Sequence, residues 1–211
     1  MEPYKVLLPF GPSIYHSTAS LNEQRLLKAI AESTKINNQS NGKNLAGNIK
    51  SQLNVSCNEI QSSQFLKFID VHIKQYVREK MARIKENLIS SSNIDTSVNT
   101  VDYDLGPGPW INYQRQHEFN PLHKHAGALS GICMIDVPIE ISQEITNIPL
   151  DSNMRCPGQL EFQSNNTTHK IVPKTGDIFL FDADLNHQVY PFVSDVVRIT
   201  MSFNVYNLTY N

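Results

Sequence analysis

Cysteine is scarce in this chain: Cys57, Cys133 and Cys156 are the only three in 211 residues, and they stand far apart. That usage excludes a disulfide scaffold and fits a reduced compartment, with each thiol serving as a small, partly buried hydrophobe. No apolar run approaches the roughly 20 residues that a membrane helix needs. The opening "MEPYKVLLPFGPSIY" has an early acid and three prolines, so it resembles neither a signal nor a transit peptide. An excess of one charge is also missing, because 18 Lys and Arg face 20 Asp and Glu for a formal net charge of -2, with no long block of one sign. That balance gives no electrostatic reason for a nucleic-acid or membrane partner. There is no internal repeat or low-complexity tract, and the sequons Asn54-Val-Ser56 and Asn165-Asn-Thr167 carry no weight without secretion. A cytoplasmic protein is expected.

What is present suffices for one globular domain, with 40% hydrophobic residues spread over a length typical of a single core. We expect residues 1–95 to be mainly helical and residues 100–207 to form a β core. Ser20 with Glu23 three residues on is a capping-box pattern, followed by Leu26, Leu27, Ile30 and Ala31 at helical spacing. "INNQSNGKN" reads as a loop, and "LAGNIKSQL" repeats Leu45, Ile49 and Leu53 as a short helix. From Phe65 to Leu88 the positions Phe65, Leu66, Ile69, Ile73, Tyr76, Val77, Met81, Ile84 and Leu88 form one stripe of a long amphipathic helix that would pack on a sheet. His72 falls off that stripe and is expected in solvent.

After "SSSNIDTSVNT" the pattern changes to short segments rich in β-branched and aromatic residues, punctuated by Pro and Gly. The expected strands are "PWINYQR", "SGICMIDVP", "GQLEFQ", "THKIVP", "DIFLFD", "HQVYPF" and "VRITMSFNV", a spacing that suggests a sandwich or barrel. Residues 139–157 are weakly patterned and read as an ordered excursion or a loop over the barrel mouth.

Within "NPLHKHAGALSG" two histidines stand one residue apart. In a strand His123 and His125 would share a face while Lys124 points away, and two neutral imidazoles can hold iron, zinc or copper. Alone, the triplet reads equally as two surface histidines beside a lysine. Downstream, "PKTGDIFLFDADLNHQVYPFVSDVVRITMSFNV" has a Gly-Asp turn, a strand, His187, Val-x-Pro, and then Arg198 with Thr200 on one face. Asn112 and Gln114 also share a face by alternation and, if it points inward, are candidates to touch a cosubstrate or substrate. His117, His16 and His169 are expected on the surface, and Trp110 and Tyr113 in the core or at its rim.

These segments resemble the iron(II) and 2-oxoglutarate-dependent oxygenases. More narrowly, Trp110, Asn112, His123, His125, Ser130, Gly131, Pro138 and the closing "SFN" resemble the members of that superfamily with an H-x-H motif found in bacterial and phage genomes. "LPFGPSIY" echoes an early segment of the same group. The resemblance implies a mainly β fold with N-terminal helices, built on a double-stranded β-helix (jelly-roll) core flanked by helices. It implies Fe(II) and O2, with 2-oxoglutarate as cosubstrate, and a dioxygenase, in the leading reading a hydroxylase, that couples decarboxylation of 2-oxoglutarate to succinate with substrate oxidation in a bacterium or phage-infected host. Residue by residue, it assigns His123 and His187 as metal ligands, Arg198 as the clamp on the far carboxylate, and Thr200 as its hydroxyl helper. A planar guanidinium pairs bidentately with a carboxylate, which suits that role.

His125 departs from the superfamily, which has a carboxylate at that place. Three imidazoles would leave iron(II) its full +2 charge, which dianionic 2-oxoglutarate could neutralise. Asp182 or Asp184 could instead approach, or solvent or chloride could complete a two-histidine site. Strand geometry favours His125. Two other readings stand beside this one. A jelly-roll metal-binding or scaffold protein could keep the ligands without turnover. A cupin-type metalloenzyme fits less well, because Leu129 stands where cupins have Glu and His187 lies far from Pro173 and Gly176. The sequence sets neither the substrate, small molecule or protein, nor the oligomeric state, with which a homodimer is compatible.

Overall fold

The computed structural model describes residues 4–7, 11–87, 98–147 and 156–211. Twelve strands and three helices are found among them: β1 (Tyr4–Leu7), β2 (Ile14–Thr18), α1 (Leu21–Asn37), β3 (Gln52–Asn54), α2 (Glu59–Asn87), β4 (Val101–Asp104), β5 (Trp110–Gln114), β6 (Asn120–His123), β7 (Leu129–Asp136), α3 (Ile139–Asn147), β8 (Leu160–Ser164), β9 (Thr167–Ile171), β10 (Asp177–Asp182), β11 (Asn186–Val189) and β12 (Arg198–Tyr210). The major sheet runs β1-β2-β10-β7-β12-β5-β3, with β4 also on the long β12, and the minor sheet runs β6-β11-β8-β9. Every pairing is antiparallel. This is the jelly-roll expected, with helices against it. No described helix is long and apolar enough to cross a membrane.

The major sheet is buried on both faces, which explains why β7 and β10 read as nearly unbroken apolar runs. Along β7 and β10, Cys133, Ile135, Ile178 and Leu180 join a core with α1 and α2, while Ile132, Met134, Phe179 and Phe181 join a second core with Leu160, Phe162 and Val189 of the minor sheet. The period of two then divides β5 and β12 the same way. Ile111, Tyr113, Met201, Phe203 and Val205 face the helices, whereas Asn112, Gln114, Arg198, Thr200, Ser202 and Asn204 line a cleft between the sheets. Gly131 sits where a Cβ would come within 2.2 Å of the Phe203 ring, so only glycine lets β7 and β12 pack at this height.

The helices form for local reasons. Ser20 caps α1, accepting from the Glu23 amide at 3.4 Å while the Glu23 carboxylate accepts from the Ser20 amide at 2.7 Å. In α2 the buried arc is Phe65, Phe68, Ile69, His72, Ile73, Tyr76 and Val77, whereas Leu66 is 45% exposed. The arc is thus turned from the expected stripe: it takes in Phe68 and His72 and leaves Leu66 in water. Leu88 and the side chain of Ile84 lie outside the described residues, as does Leu8–Phe10 of "LPFGPSIY".

Three further expectations are corrected and two are made specific. "LAGNIKSQL" forms no helix: a 3-10 turn at Gly42–Asn44 leads to a single bridge between Asn48 and Phe119 and then to β3. The long-range pairing of Gln52–Asn54 with β5 overrides its weak helical period. Residues 139–157 begin as α3; residues 148–155 lie outside those described. The first half, expected to be mainly helical, carries α1 and α2 and also supplies β1, β2 and β3 to the major sheet. His16 is not simply a surface residue, for its ring stacks on Phe179 at 4.6 Å and its Nε2 lies 3.0 Å from Asp177 Oδ1.

His72 is the third correction. It is 5% exposed, with Nδ1 2.9 Å from the Tyr15 hydroxyl and its ring against Phe68. Burial lowers its pKa from 6.5, outweighing the opposing pull of Glu23. Because the folded state holds the neutral form, the unfolded chain binds the proton first as pH falls. The stability this gives is complete above pH 6.5 and is lost between 6.5 and the lower folded value, at up to about 1.4 kcal/mol per pH unit. His72→Gln keeps an acceptor for Tyr15 and should flatten the denaturation midpoint against pH by up to one proton; an unchanged slope would contradict the buried neutral imidazole.

Candidate metal centre

His123 closes β6 and His187 lies in β11, and the two strands pair with these residues opposite each other. His123 Nδ1 lies 2.7 Å from the Pro121 carbonyl, and His187 Nδ1 lies 2.9 Å from that of Leu185. A carbonyl only accepts, so in both rings Nδ1 carries the proton and the Nε2 lone pair is free. His125 lies two residues beyond the end of strand pairing, and its amide donates to the Ala183 carbonyl at 2.8 Å. His123 and His125 therefore share a face, as alternation implies, although the main-chain clamp on residues 182–187, not a ladder, holds the second one. The three ring centroids are 4.3 to 5.1 Å apart, and one donor atom from each ring lies within 4.8 Å of the others.

The electrostatics suit a cation. Burial pushes His187 down to about 3 and His125 down to about 4, with His123 adding to both; burial also lowers His123, against the Pro121 carbonyl. The imidazoles are unprotonated near neutrality, so their lone pairs need no proton release to bind a metal. The donor set fits one divalent transition metal such as iron(II).

Neither aspartate joins them. Asp182 is drawn toward α2, accepting from Lys80 at 2.6 Å and from the Tyr76 hydroxyl at 3.1 Å, and Asp184 is exposed. Among the described residues, the three histidines are the group able to hold a metal, with no carboxylate among them. His117 is an exposed residue with φ 65°, and His169 is partly exposed.

The second element of the cleft is Arg198, 2% exposed at the start of β12. Its Nη1 donates to the Gly158 carbonyl and its Nη2 to Gln114 Oε1, while Nε has no partner. Burial lowers its pKa to about 10, which leaves it charged at neutral pH. Among the described residues no carboxylate forms an ion pair with it. A buried cation with only neutral partners is costly unless an anion meets it. Thr200, two residues on, faces the same cleft, and its Oγ1 accepts from Asn112 Nδ2 at 3.2 Å.

The structure thus brings His123, His125, His187, Arg198, Thr200, Asn112 and Gln114 to one cleft. It commits both amides to protein partners: Gln114 also donates to the Glu118 carbonyl at 2.5 Å, and Asn112 accepts from Gln52 at 2.9 Å. Sequence reasoning missed Gln52, Asn120 and Gly47, which also line the cleft. No local signal marks them, since Gln52 sits in a three-residue strand and Gly47 in an irregular segment.

Residues 108–204 match a family described as "Putative 2OG-Fe(II) oxygenase". The fold is similar to that of a Pseudomonas putida prolyl-4-hydroxylase, with a TM-score of 0.50 and 12% identity over 90% of this chain and 91% of the other. It is also similar to a Trichoplax adhaerens prolyl hydroxylase solved with a hypoxia-inducible-factor peptide fragment, with a TM-score of 0.51 and 11% identity over 97% and 83%. No curated protein matches the sequence significantly.

Proposed function

We propose that this chain, whose residues 108–204 match the 2OG-Fe(II) oxygenase family, is an iron(II)- and 2-oxoglutarate-dependent dioxygenase that hydroxylates its substrate. The observation that carries the reading is the pairing, in one cleft, of three unprotonated imidazoles with a buried arginine that has no anion. The two proteins of similar fold described above are both prolyl hydroxylases, which supports hydroxylation as the outcome.

His123, His125 and His187 would hold the metal. Bound there, iron(II) supplies the redox chemistry that couples conversion of 2-oxoglutarate and O2 into succinate and CO2 with oxidation of the substrate. The protein supplies binding and orientation. Arg198 has one N–H of Nη1 and one of Nη2 engaged by Gly158 and Gln114, and its remaining N–H groups, the unpartnered Nε–H among them, would supply the forked pair of donors to the far carboxylate. Gln114 fixes the guanidinium plane by accepting from Nη2 while its own amide nitrogen is held by Glu118. The Thr200 hydroxyl accepts from Asn112, which leaves its proton free to donate to the same carboxylate. Leu185 and Pro121 lock the tautomers of His187 and His123. Phe181, packed edge-on to His187 at 4.8 Å, keeps water from that side.

The test is succinate formation by purified protein supplied with iron(II), 2-oxoglutarate and air. Slow succinate release without added substrate is expected, and its loss in His187→Ala. Demonstrated binding of metal and 2-oxoglutarate with sustained absence of succinate would favour a scaffold that keeps its ligands without turnover.

A further inference from the structure

The cleft holds two buried oxygen acceptors that no group among the described residues satisfies. Gln52, Asn112 and Thr200 form a row across β3, β5 and β12. Gln52 Nε2 donates to Asn112 Oδ1 at 2.9 Å, and Asn112 Nδ2 donates on to Thr200 Oγ1 at 3.2 Å and Ser202 Oγ at 3.4 Å. Asn112 Nδ2 thereby uses both its N–H groups and Gln52 Nε2 one of its two, while Gln52 Oε1 is buried and finds no donor among the described residues, although the residue is 2% exposed. Across the cleft, on β6 three residues before His123, Asn120 Oδ1 is in the same condition. Both side chains press on Gly47, where a Cβ would come within 2.0 Å of Asn120 Oδ1 and 3.0 Å of Gln52 Nε2. The segment carrying Gly47 is pinned there by the Asn48 amide, which donates to the Phe119 carbonyl at 2.8 Å.

A buried acceptor left unpaired is costly, and native proteins rarely carry two in one cleft without a ligand donor to meet them. The chemistry of that donor is narrowed by charge. Among the described residues, no Asp, Glu or Lys lines the cleft, and Arg198 is its one charged group. An ammonium or guanidinium would enter without a counter-charge and beside an existing cation, whereas a neutral N–H would not. Resting on the oxygenase reading above, we propose that Gln52 and Asn120 form the substrate subsite of this centre and take a neutral N–H donor, so that the substrate is of the amide class.

The test titrates the full chain with benzamide, N,N-dimethylbenzamide, methyl benzoate and benzylammonium by ligand-observed NMR, alongside a titration with 2-oxoglutarate on the same metal-loaded samples. Benzamide should bind about fivefold or more tightly than its dimethyl counterpart, the worth of one or two neutral hydrogen bonds. Asn120→Leu, Gln52→Leu and Gly47→Ala should each reduce that preference. Asn120→Asp, which keeps size and acceptor, should shift preference toward benzylammonium by about tenfold. Equal binding of dimethylbenzamide or of methyl benzoate would mean that water alone serves the two oxygens and would overturn the subsite. So would a benzamide preference untouched by all three truncating variants. If 2-oxoglutarate binds while the amide preference is absent, the subsite fails and the oxygenase reading stands. If 2-oxoglutarate does not bind, that reading fails whatever benzamide does.

Discussion

Arg198→Met is expected to weaken 2-oxoglutarate binding by roughly 30-fold to several thousand-fold, the about 2–5 kcal/mol lost when one partner of a desolvated charge pair is truncated. Metal affinity should be spared, because Arg198 touches none of the three histidines; its partners are Gly158 and Gln114. The expected effect on stability sets this position apart from an ordinary buried residue. Without an anion the wild-type guanidinium is a buried cation held by neutral groups, with Nε unpaired. Removing it costs two hydrogen bonds but relieves that desolvation, so the ligand-free variant should melt close to wild type. Adding 2-oxoglutarate at about 100 times its wild-type Kd should then stabilise wild type by about 2.7 kcal/mol, or roughly 5–10 °C in Tm for a chain of this size, and the variant by at most about 0.9 kcal/mol. Arg198→Lys keeps the charge and loses the fork, so it should fall between the two. Thermal melts with and without 2-oxoglutarate check all three. A Tm gain in Arg198→Met equal to that of wild type would remove Arg198 from the carboxylate site.

Much of the jelly-roll could be read from the chain because its strands are long enough to display a period. The seven expected strands correspond to β5 and β7 through β12 apart from the edges, and the alternation in "WINYQ" and "RITMSFN" already separates the polar cleft face from the apolar helix face. The capping box of α1 was equally visible, being a local hydrogen-bond pattern. What was hidden depends on contacts distant in sequence. β3 is three residues long and exists only because β5 accepts it at its edge. His72 looks polar in a helical wheel, yet Tyr15, 57 residues earlier, supplies the partner that makes its burial tolerable. Gln52 and Asn120 carry no signature at all, since a neutral amide gains meaning only from the charge and burial of what surrounds it. The histidines lie between these cases. The H-x-H spacing placed two rings together, but the element that aims His125 is the Ala183 carbonyl, in a turn about 60 residues away that is braced on α2 through Asp182, Lys80 and Tyr76.

That dependence shapes what substitution of His125 should do. As a full ligand His125 is one of only three protein donors, so in His125→Ala affinity for Co(II) or anaerobic Fe(II) should drop on the order of 100-fold. His187→Ala should cost at least as much, since His187 is more deeply buried and its tautomer is fixed by Leu185. The informative contrast is His125→Asp, which returns to this place the carboxylate usual in the superfamily. An anionic ligand favours a dication more than an imidazole does, so metal binding should recover relative to His125→Ala even with the shorter side chain. Cosubstrate binding should move the other way. Three neutral imidazoles leave the metal its full +2 charge for a dianion to meet, whereas His125→Asp lowers the site to +1, and in a buried, low-dielectric cleft that loss of attraction is not screened away. Isothermal titration of metal, followed by 2-oxoglutarate, into the wild type and both variants separates the two effects. Metal affinity unchanged in His125→Ala would show that His123 and His187 hold the ion without it, and the all-histidine triad would then be wrong.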